Sequence, residues 1–399
     1  MSTSTCNKTS RRVCIVTGTR ADWGLLSPVA RELARHNDKV ELQVIATNMH
    51  LDPAYGMTVH EIEADGINVS ARVDMCTGTS DDNGLARVKA MGKCLDGMAN
   101  AFSTLSPDMV VVLGDRYEML AVASAAAVMR IPIVHISGGE ISEGAIDDAI
   151  RHAITKLSAL HLTATEPYRN RVIQLGEHPS RVINTGAIGV YNILHEPLMS
   201  KDELEESINF SIDENTLLVT YHPATLDDTA TADRCKELLA ALDRFPSSRL
   251  IITYPNNDTG SQAIISLIEK YASERPDRVC LIKSLGKKRY LSALKYVGAV
   301  VGNSSSGIVE VPSMGIPTVD IGIRQKGRIC AKSVIHCGDS ADQIYRAVSY
   351  ALSPSGRALA ASASNPYHKP STLKMMIDAI VETPLEKLRT KTFYDIDPT

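Results

Sequence analysis

The chain has no long basic run, and its 42 Lys and Arg are outnumbered by 46 Asp and Glu, for a net charge of -4. A surface built for nucleic acid or an anionic membrane needs the opposite balance, so neither is an expected partner. No apolar stretch approaches the length of a transmembrane helix. The run VCIV behind Arg11 and Arg12 is too short for the core of a signal peptide. The eight cysteines, at positions 6, 14, 76, 94, 235, 280, 330 and 337, include no C-x-x-C pair. Several lie in apolar strand-like runs, which points to buried thiols in a reducing, cytoplasmic setting rather than to disulfides or zinc. No internal repeat is present, and the one low-complexity stretch is the polar MSTSTCNKTS at the start. Residues 1–12 read as a disordered tail.

What is there is an ordinary globular composition, 44% hydrophobic and 22% charged over 399 residues, enough for two or three domains. Strand-like and helix-like segments alternate. VCIVTG, VELQVIAT, DMVVVLGD, IPIVHIS, HLTATE and RVINTG are strand candidates with helical spacing between most of them. The pattern restarts with NTLLVTYHP, RLIITYPNN, VCLIKSL, GAVVGNSSS and PTVDIG. Two such βαβ series predict an α/β protein of two doubly wound parallel-sheet domains facing a cleft, with ligands at the carboxyl ends of the strands. The weaker pattern after Gly186 marks the boundary. The expected domains are 13–188 and 189–375, followed by a helix and charged tail over 376–399 that has the option of packing back on the first domain.

Four loops after strands carry polar residues beyond the needs of a turn. In TGTRADWG two glycines bracket Arg20, and a helix follows. The loop backbone and helix start can hold an anion beside Arg20, or the loop is a plain turn with Asp22 as helix cap. The spacing is not G-x-G-x-x-G, which counts against a dinucleotide-binding fold. In LGDRYEML, Asp115 and Arg116 follow four apolar residues; they are either substrate groups at a strand end or an internal ion pair.

The third loop is HISGGEISEGAIDDAIRH, from His135 to His152, with four acids and a glycine pair. The pair permits close backbone approach or positive φ. A helix is expected from near Ala145, with Ile146, Ile150, Ala153 and Leu157 as its core stripe and Asp147 and Arg151 along its edge. Asp147 and Glu140 are the functional candidates, because the neighbouring glycines invite a ligand. Asp148 reads as solvated, and His135 as a hydrogen-bonded core histidine. The fourth loop, VVGNSSSGIVEVPSMGIP, places Ser304 and Ser305 at a helix start with Glu310 a turn further on. Three serines between glycines suit a diphosphate cradle, while capping needs only one. Glu310 suits a ribose diol or a buried ion pair. Arg324, Lys326 and Arg328 form a positive cluster, at least one member of which reads as surface charge. His222 in TYHPAT, and Asn256 and Asp258 in YPNNDTGS, are weaker signals at strand ends.

The ordered set GTRADWG, GDRYE, HISGGE–EGAIDDAIRH, YHPAT, PNNDTGS, GNSSSGIVEVPSMGIP and RQKGR resembles the hydrolysing UDP-N-acetylglucosamine 2-epimerases of sialic-acid biosynthesis, from about Arg12 to Thr372. The resemblance implies two Rossmann-like halves as in GT-B glycosyltransferases, and a homodimer or homotetramer. It implies conversion of UDP-GlcNAc and water to N-acetylmannosamine and UDP through anti elimination to 2-acetamidoglucal, with no metal or other cofactor. By matching position, Asp115 and Asp147 resemble the proton-transfer carboxylates. Arg20, Arg116, His222, Ser304 and Ser305 resemble diphosphate or sugar contacts, with His222 also in reach of the chemistry. Glu310 resembles the ribose clamp, and Arg151, Asn256, Asp258 and Arg324 match further substrate positions. One departure stands out: relatives with HIEGGE have an acid where this chain has Ser137. Either Glu140 takes that acid's part, or Ser137 serves a different sugar, such as a UDP-2,4-diacetamido-2,4,6-trideoxyhexose. Gly24 also replaces a serine of some relatives. A non-hydrolysing epimerase, a GT-B glycosyltransferase and a non-catalytic UDP-sugar-binding protein are the remaining alternatives.

Overall fold

The computed structural model describes residues 10–76, 83–143, 146–223, 231–256 and 260–396. The chain divides into two compact units. The first holds Met1–Glu140, Ala149–Ile188 and Lys369–Thr399; the second holds Ile141–Asp148 and Gly189–His368.

The first unit is built on a seven-stranded sheet of β1 (Arg11–Thr17), β2 (Val40–Thr47), β3 (Ala71–Val73), β4 (Met109–Leu113), β5 (Ile133–Ile136), β6 (Leu160–Thr163) and β7 (Val182–Asn184). The second has six strands: β8 (Leu217–Thr220), β9 (Leu250–Thr253), β10 (Val279–Ile282), β11 (Ala299–Gly302), β12 (Thr318–Ile321) and β13 (Val334–Cys337). The spatial orders are β3-β2-β1-β4-β5-β6-β7 and β10-β9-β8-β11-β12-β13, with every pairing parallel. Both are Rossmann-like, doubly wound sheets whose order reverses once, between β1 and β4 and between β8 and β11. The fold therefore arises without the G-x-G-x-x-G fingerprint, which concerns how a pyrophosphate is bound rather than how strands are ordered.

Strand sequences are almost wholly apolar because helices cover both sheet faces. In β8, Leu217 and Val219 enter one core while Leu218 enters the other, as the two-residue strand repeat requires. In the first unit, Val110 and Val112 of β4 pack beneath the helices Gly84–Leu105 and Tyr117–Val128. Alanines 121, 123, 125 and 126 on the second of these are small enough to bury closely.

The boundaries differ from expectation in three places. β1 opens at Arg11, so Arg11 and Arg12 belong to the sheet and not to a tail. Arg11 Nη1 donates to the carbonyls of Ile380 (2.8 Å) and Thr383 (2.9 Å), the unpaired end of the helix Thr372–Glu382. That helix, which a boundary at 375 would cut, is whole and lies in the first unit, as does Lys391, whose Nζ donates to the carbonyls of Lys156 and Ser158. Residues 141–148 leave the first unit for the second. The strands β3 and β13, absent from the sequence reading, are both at sheet edges, where one flank needs no continuous apolar run. Among the described residues no helix is long and apolar enough to cross a membrane, the seven described cysteines are free thiols, and no group of three His, Cys, Asp or Glu side chains is set to hold a metal.

Candidate active site

At the reversal point of the first sheet, the loop after β1 meets the loop after β4. The helix Arg20–Arg35 is capped by Thr19, not Asp22: Thr19 Oγ1 accepts from Asp22 N (3.2 Å), and Asp22 Oδ2 accepts from Thr19 N (3.0 Å) and Gly18 N (3.3 Å). Asp22 thus occupies two backbone donors that an anion would have used. Burial pushes its carboxyl up to about 6, with Arg116 opposing and Glu118 adding to the shift. Arg20 opens the helix half-buried, its charge near His50 and Glu61.

Asp115 and Arg116 follow β4 after Gly114, and each has a partner further along the chain. The Asp115 carboxylate accepts from Arg151 Nη2, and Arg116 Nε donates to Glu118 Oε1 at 2.6 Å. Arg151 is 1% exposed, and its Nη1 also donates to the carbonyl of Glu140 (3.0 Å). The guanidinium is therefore seated on Asp115 inside the unit rather than laid open for substrate. The buried His135 completes this corner. Its Nε2 must donate to the carbonyl of Gly114 (2.7 Å), which leaves Nδ1 to face the hydroxyl of Thr155 (3.2 Å). Burial holds its pKa at about 3, so the ring is neutral.

The acid-rich stretch departs from its reading. The helix runs Asp147–Leu157, and its buried face is Arg151, Ile154 and Thr155. Ile146 is 55% exposed, and Ala153 and Leu157 are exposed as well. The expected apolar stripe is displaced because the inward face is used by the Arg151–Asp115 pair and the Thr155–His135 contact. The glycine pair is also explained within the protein. Gly139 has φ +79, and a Cβ there would lie 2.4 Å from the carbonyl oxygen of Tyr168. A Cβ on Gly138 would lie 3.0 Å from His135 Nδ1. The glycines admit protein atoms, so they are no argument for a ligand. Ser137 adopts φ +65 and donates its N–H to the carbonyl of Leu162 (2.9 Å). Glu140 is buried.

The remaining acids lie in the second unit. Glu143 pairs with Lys326 (2.9 Å), an exposed lysine that is one of the surface charges expected in its cluster. Asp148 is not simply solvated, since its Oδ1 accepts from Ser142 N at 2.6 Å. Asp147 is half-buried at the first position of its helix.

At the reversal point of the second sheet the organising residue is Asn303, which the sequence reading passed over in favour of the serines beside it. Asn303 Oδ1 accepts from His222 N (2.7 Å), and its Nδ2 donates to His222 O (2.8 Å). Its own carbonyl accepts from Arg324 Nη1 (3.3 Å) and Gln325 Nε2 (2.8 Å). His222 Nδ1 accepts from Asn256 N (3.1 Å), which aims the imidazole's other nitrogen elsewhere. His222 and Arg324 are therefore joined through Asn303, and Asn256 is joined to them through His222. Ser304 is the N-cap of Ser305–Val309, with Oγ 3.4 Å from Ser306 N, and Ser306 Oγ accepts from Tyr290 (2.7 Å). That helix has only five residues, so Glu310 stands at its end rather than within it. The Glu310 carboxylate rests against the Cα of Gly189, where a Cβ would come within 2.0 Å of Oε1. Ser305 is exposed, and Asp258 lies outside the described residues. Asn303 and Glu118 had one signal in the sequence: each follows a strand end in a quoted motif.

Comparison with known proteins bears on the family and the fold. The family model described as UDP-N-acetylglucosamine 2-epimerase matches residues 31–381. A GDP/UDP-N,N'-diacetylbacillosamine 2-epimerase (hydrolyzing) of Campylobacter jejuni is 40% identical over 82% of this chain and 84% of its own. The polysialic acid biosynthesis protein P7 of Escherichia coli is 38% identical over 97% of this chain and 98% of its own. The crystal structure of UDP-GlcNAc 2-epimerase from Neisseria meningitidis bound to UDP-GlcNAc superposes with a TM-score of 0.76 at 18% identity, covering 93% of this chain and all of that one, a likeness of fold. A family match over most of the length, joined by relatives at 40% and 38% identity, places the chain: it belongs to the UDP-N-acetylglucosamine 2-epimerase family.

Proposed function

We propose that the protein is a hydrolysing UDP-GlcNAc 2-epimerase that converts UDP-GlcNAc and water to N-acetylmannosamine and UDP, feeding sialic-acid biosynthesis. A carboxylate takes the proton from C2 as the C1–O bond breaks and its electron pair leaves with the diphosphate. The product of this anti elimination is 2-acetamidoglucal. Water then adds at C1 while a proton returns to C2 from the other face. The C2 proton has no neighbouring carbonyl to acidify it, so charge on the departing diphosphate must be stabilised as the bond breaks. In this reading Asp115 and Asp147 move the protons, with Glu140 and His222 supporting. Arg20, Arg116, Arg324, Ser304 and Ser305 meet the diphosphate, Glu310 meets the ribose, and Asn256 and Asp258 complete the substrate contacts. The reaction is redox-neutral and includes no redox cofactor, and the enzyme is a cytoplasmic homodimer or homotetramer.

The observation that carries the proposal is Asp115: a carboxylate at the carboxyl end of β4, beside the reversal point, oriented by the buried Arg151. A second reading keeps the chemistry and changes the sugar to a UDP-2,4-diacetamido-2,4,6-trideoxyhexose. It is favoured by Ser137 in place of an acid and by the Campylobacter jejuni relative, which is named for N,N'-diacetylbacillosamine.

Proton NMR of the purified protein with UDP-GlcNAc in D2O tests both. N-acetylmannosamine deuterated at C2 and released with an equal amount of UDP supports the first reading. Inertness to UDP-GlcNAc with turnover of the diacetamido sugar supports the second. Accumulation of UDP-ManNAc, or no turnover of either sugar, defeats both.

A further inference from the structure

Glu118 has no part in the reaction described above, yet it is an acid sealed entirely inside the first unit. Its Oε1 accepts from Arg116 Nε at 2.6 Å. Among the described residues its Oε2 has no hydrogen-bond partner. A buried carboxylate with one oxygen unsatisfied is costly to a fold, and an apolar side chain of similar size would fill the space without that cost. The space itself is made for the acid. A Cβ on Gly18 would lie 2.6 Å from Glu118 Oε1, so only glycine at the start of the first loop lets the carboxylate sit there. Gly18 N is in turn bound by Asp22, whose charge also faces Arg116. Two acids from the first turns of two helices thus share one guanidinium at the reversal point of the sheet, Glu118 by a hydrogen bond and Asp22 by its charge.

We infer that Glu118 is a positioning residue for Arg116. Its grip on Nε fixes the plane of the guanidinium, so that the Nη groups meet the diphosphate in one orientation and less order has to be gained on binding. Gly18 is the clearance that this grip needs. The inference rests on the reading of Arg116 as a diphosphate contact.

The test is a double-mutant cycle of Glu118→Gln and Arg116→Lys, read by calorimetric titration with UDP and by melting temperature. Lysine keeps the charge of Arg116 but has no Nε–H for Glu118 to hold. Each single variant is expected to stay folded and to weaken UDP binding about tenfold, the scale of one charge-assisted hydrogen bond. Because Glu118 acts through Arg116, the double variant should bind UDP no more weakly than Arg116→Lys alone. Wild-type affinity in folded Glu118→Gln, or losses that multiply in the double variant, would overturn the inference. If Glu118→Gln does not fold, Glu118→Asp takes its place, keeping the charge but shortening the reach. A second readout is independent of UDP: the 15Nε–1Hε signal of Arg116 in ligand-free protein should shift in either Glu118 variant. A wild type that binds no UDP would sink the functional reading, while an unmoved Arg116 signal would sink the positioning role by itself.

Discussion

Arg151 and Asp115 form an ion pair in which the arginine is sealed from solvent and the acid is not: their side chains are 1% and 23% exposed. The guanidinium also holds the carbonyl of Glu140, so a single buried group joins the end of β4 to the acid-rich stretch. Removing one member of a buried pair leaves the other uncompensated, at a cost of about 3–5 kcal/mol. Arg151→Met should therefore lower unfolding free energy by about 3 kcal/mol, discounted for the part of Asp115 that water reaches. Arg151→Lys, which cannot fork between two acceptors, should lose turnover while remaining folded. Urea denaturation and UDP release check the two; a Lys variant with wild-type turnover would refute the orienting role.

Asp115→Asn and Asp147→Asn should each lower turnover by about 10²–10⁴-fold, the range for one general acid or base, while UDP still binds. Single-turnover assays beside UDP titration separate the two effects. A variant that turns over normally is not a proton-transfer residue.

Glu310→Ala should weaken UDP binding if its carboxylate takes the ribose hydroxyls. Gly189→Ala gives the same answer from the other side, because the added Cβ would collide with Glu310 Oε1. The two variants should lose affinity together, by about tenfold for a hydrogen bond to a charged group. Unchanged UDP affinity in Glu310→Ala would end the clamp reading.

His135 sets a pH dependence of stability. Its folded pKa, about 3, is depressed by burial from an ordinary value of 6.5. The unfolded chain therefore binds the proton first, and the stability His135 contributes is full above about 6.5 and lost as pH falls from there toward 3. Asp22 runs the other way: raised to about 6, it contributes stability at low pH that is lost as pH rises from 3.8 through 6. The informative quantity is then the gap between wild type and His135→Gln at each pH. Melting temperatures should show that gap narrowing from pH 7 to pH 4. A constant gap would mean that the buried ring does not resist protonation.

The fold was legible because its signal is carried by runs of adjacent residues. Apolar stretches such as MVVVL in β4 and AVVG in β11 announce central strands covered on both faces, and the helical spacing between them announces the crossovers. The edge strands β3 and β13 are short and broken by Arg72 and His336, so they were silent, while the edge strands β7 and β10 were read. The candidate site was legible only as far as a strand end announces it. Asp115, His222 and the serine loop stand at such ends. Asn303 stands there too and Glu118 lies in the helix turn beyond, but what marks each is one partner, His222 or Arg116, and partnership is not written in the local pattern. The helix Asp147–Leu157 misled for the same reason: its apolar residues suggested one inward face, and Arg151 with Thr155 took another.

By itself, then, the sequence determined the two parallel sheets and their polar strand ends, which follow from local periodicity, and its ordered motifs carried the resemblance to the family. Only the tertiary structure decided which charges meet: Arg151 with Asp115, Arg116 with Glu118, Asn303 with His222, and Asp22 with the backbone it caps. Such pairs join residues brought together by the crossing of strands and helices, and a buried charge or amide is satisfied by whichever partner the packing delivers to it.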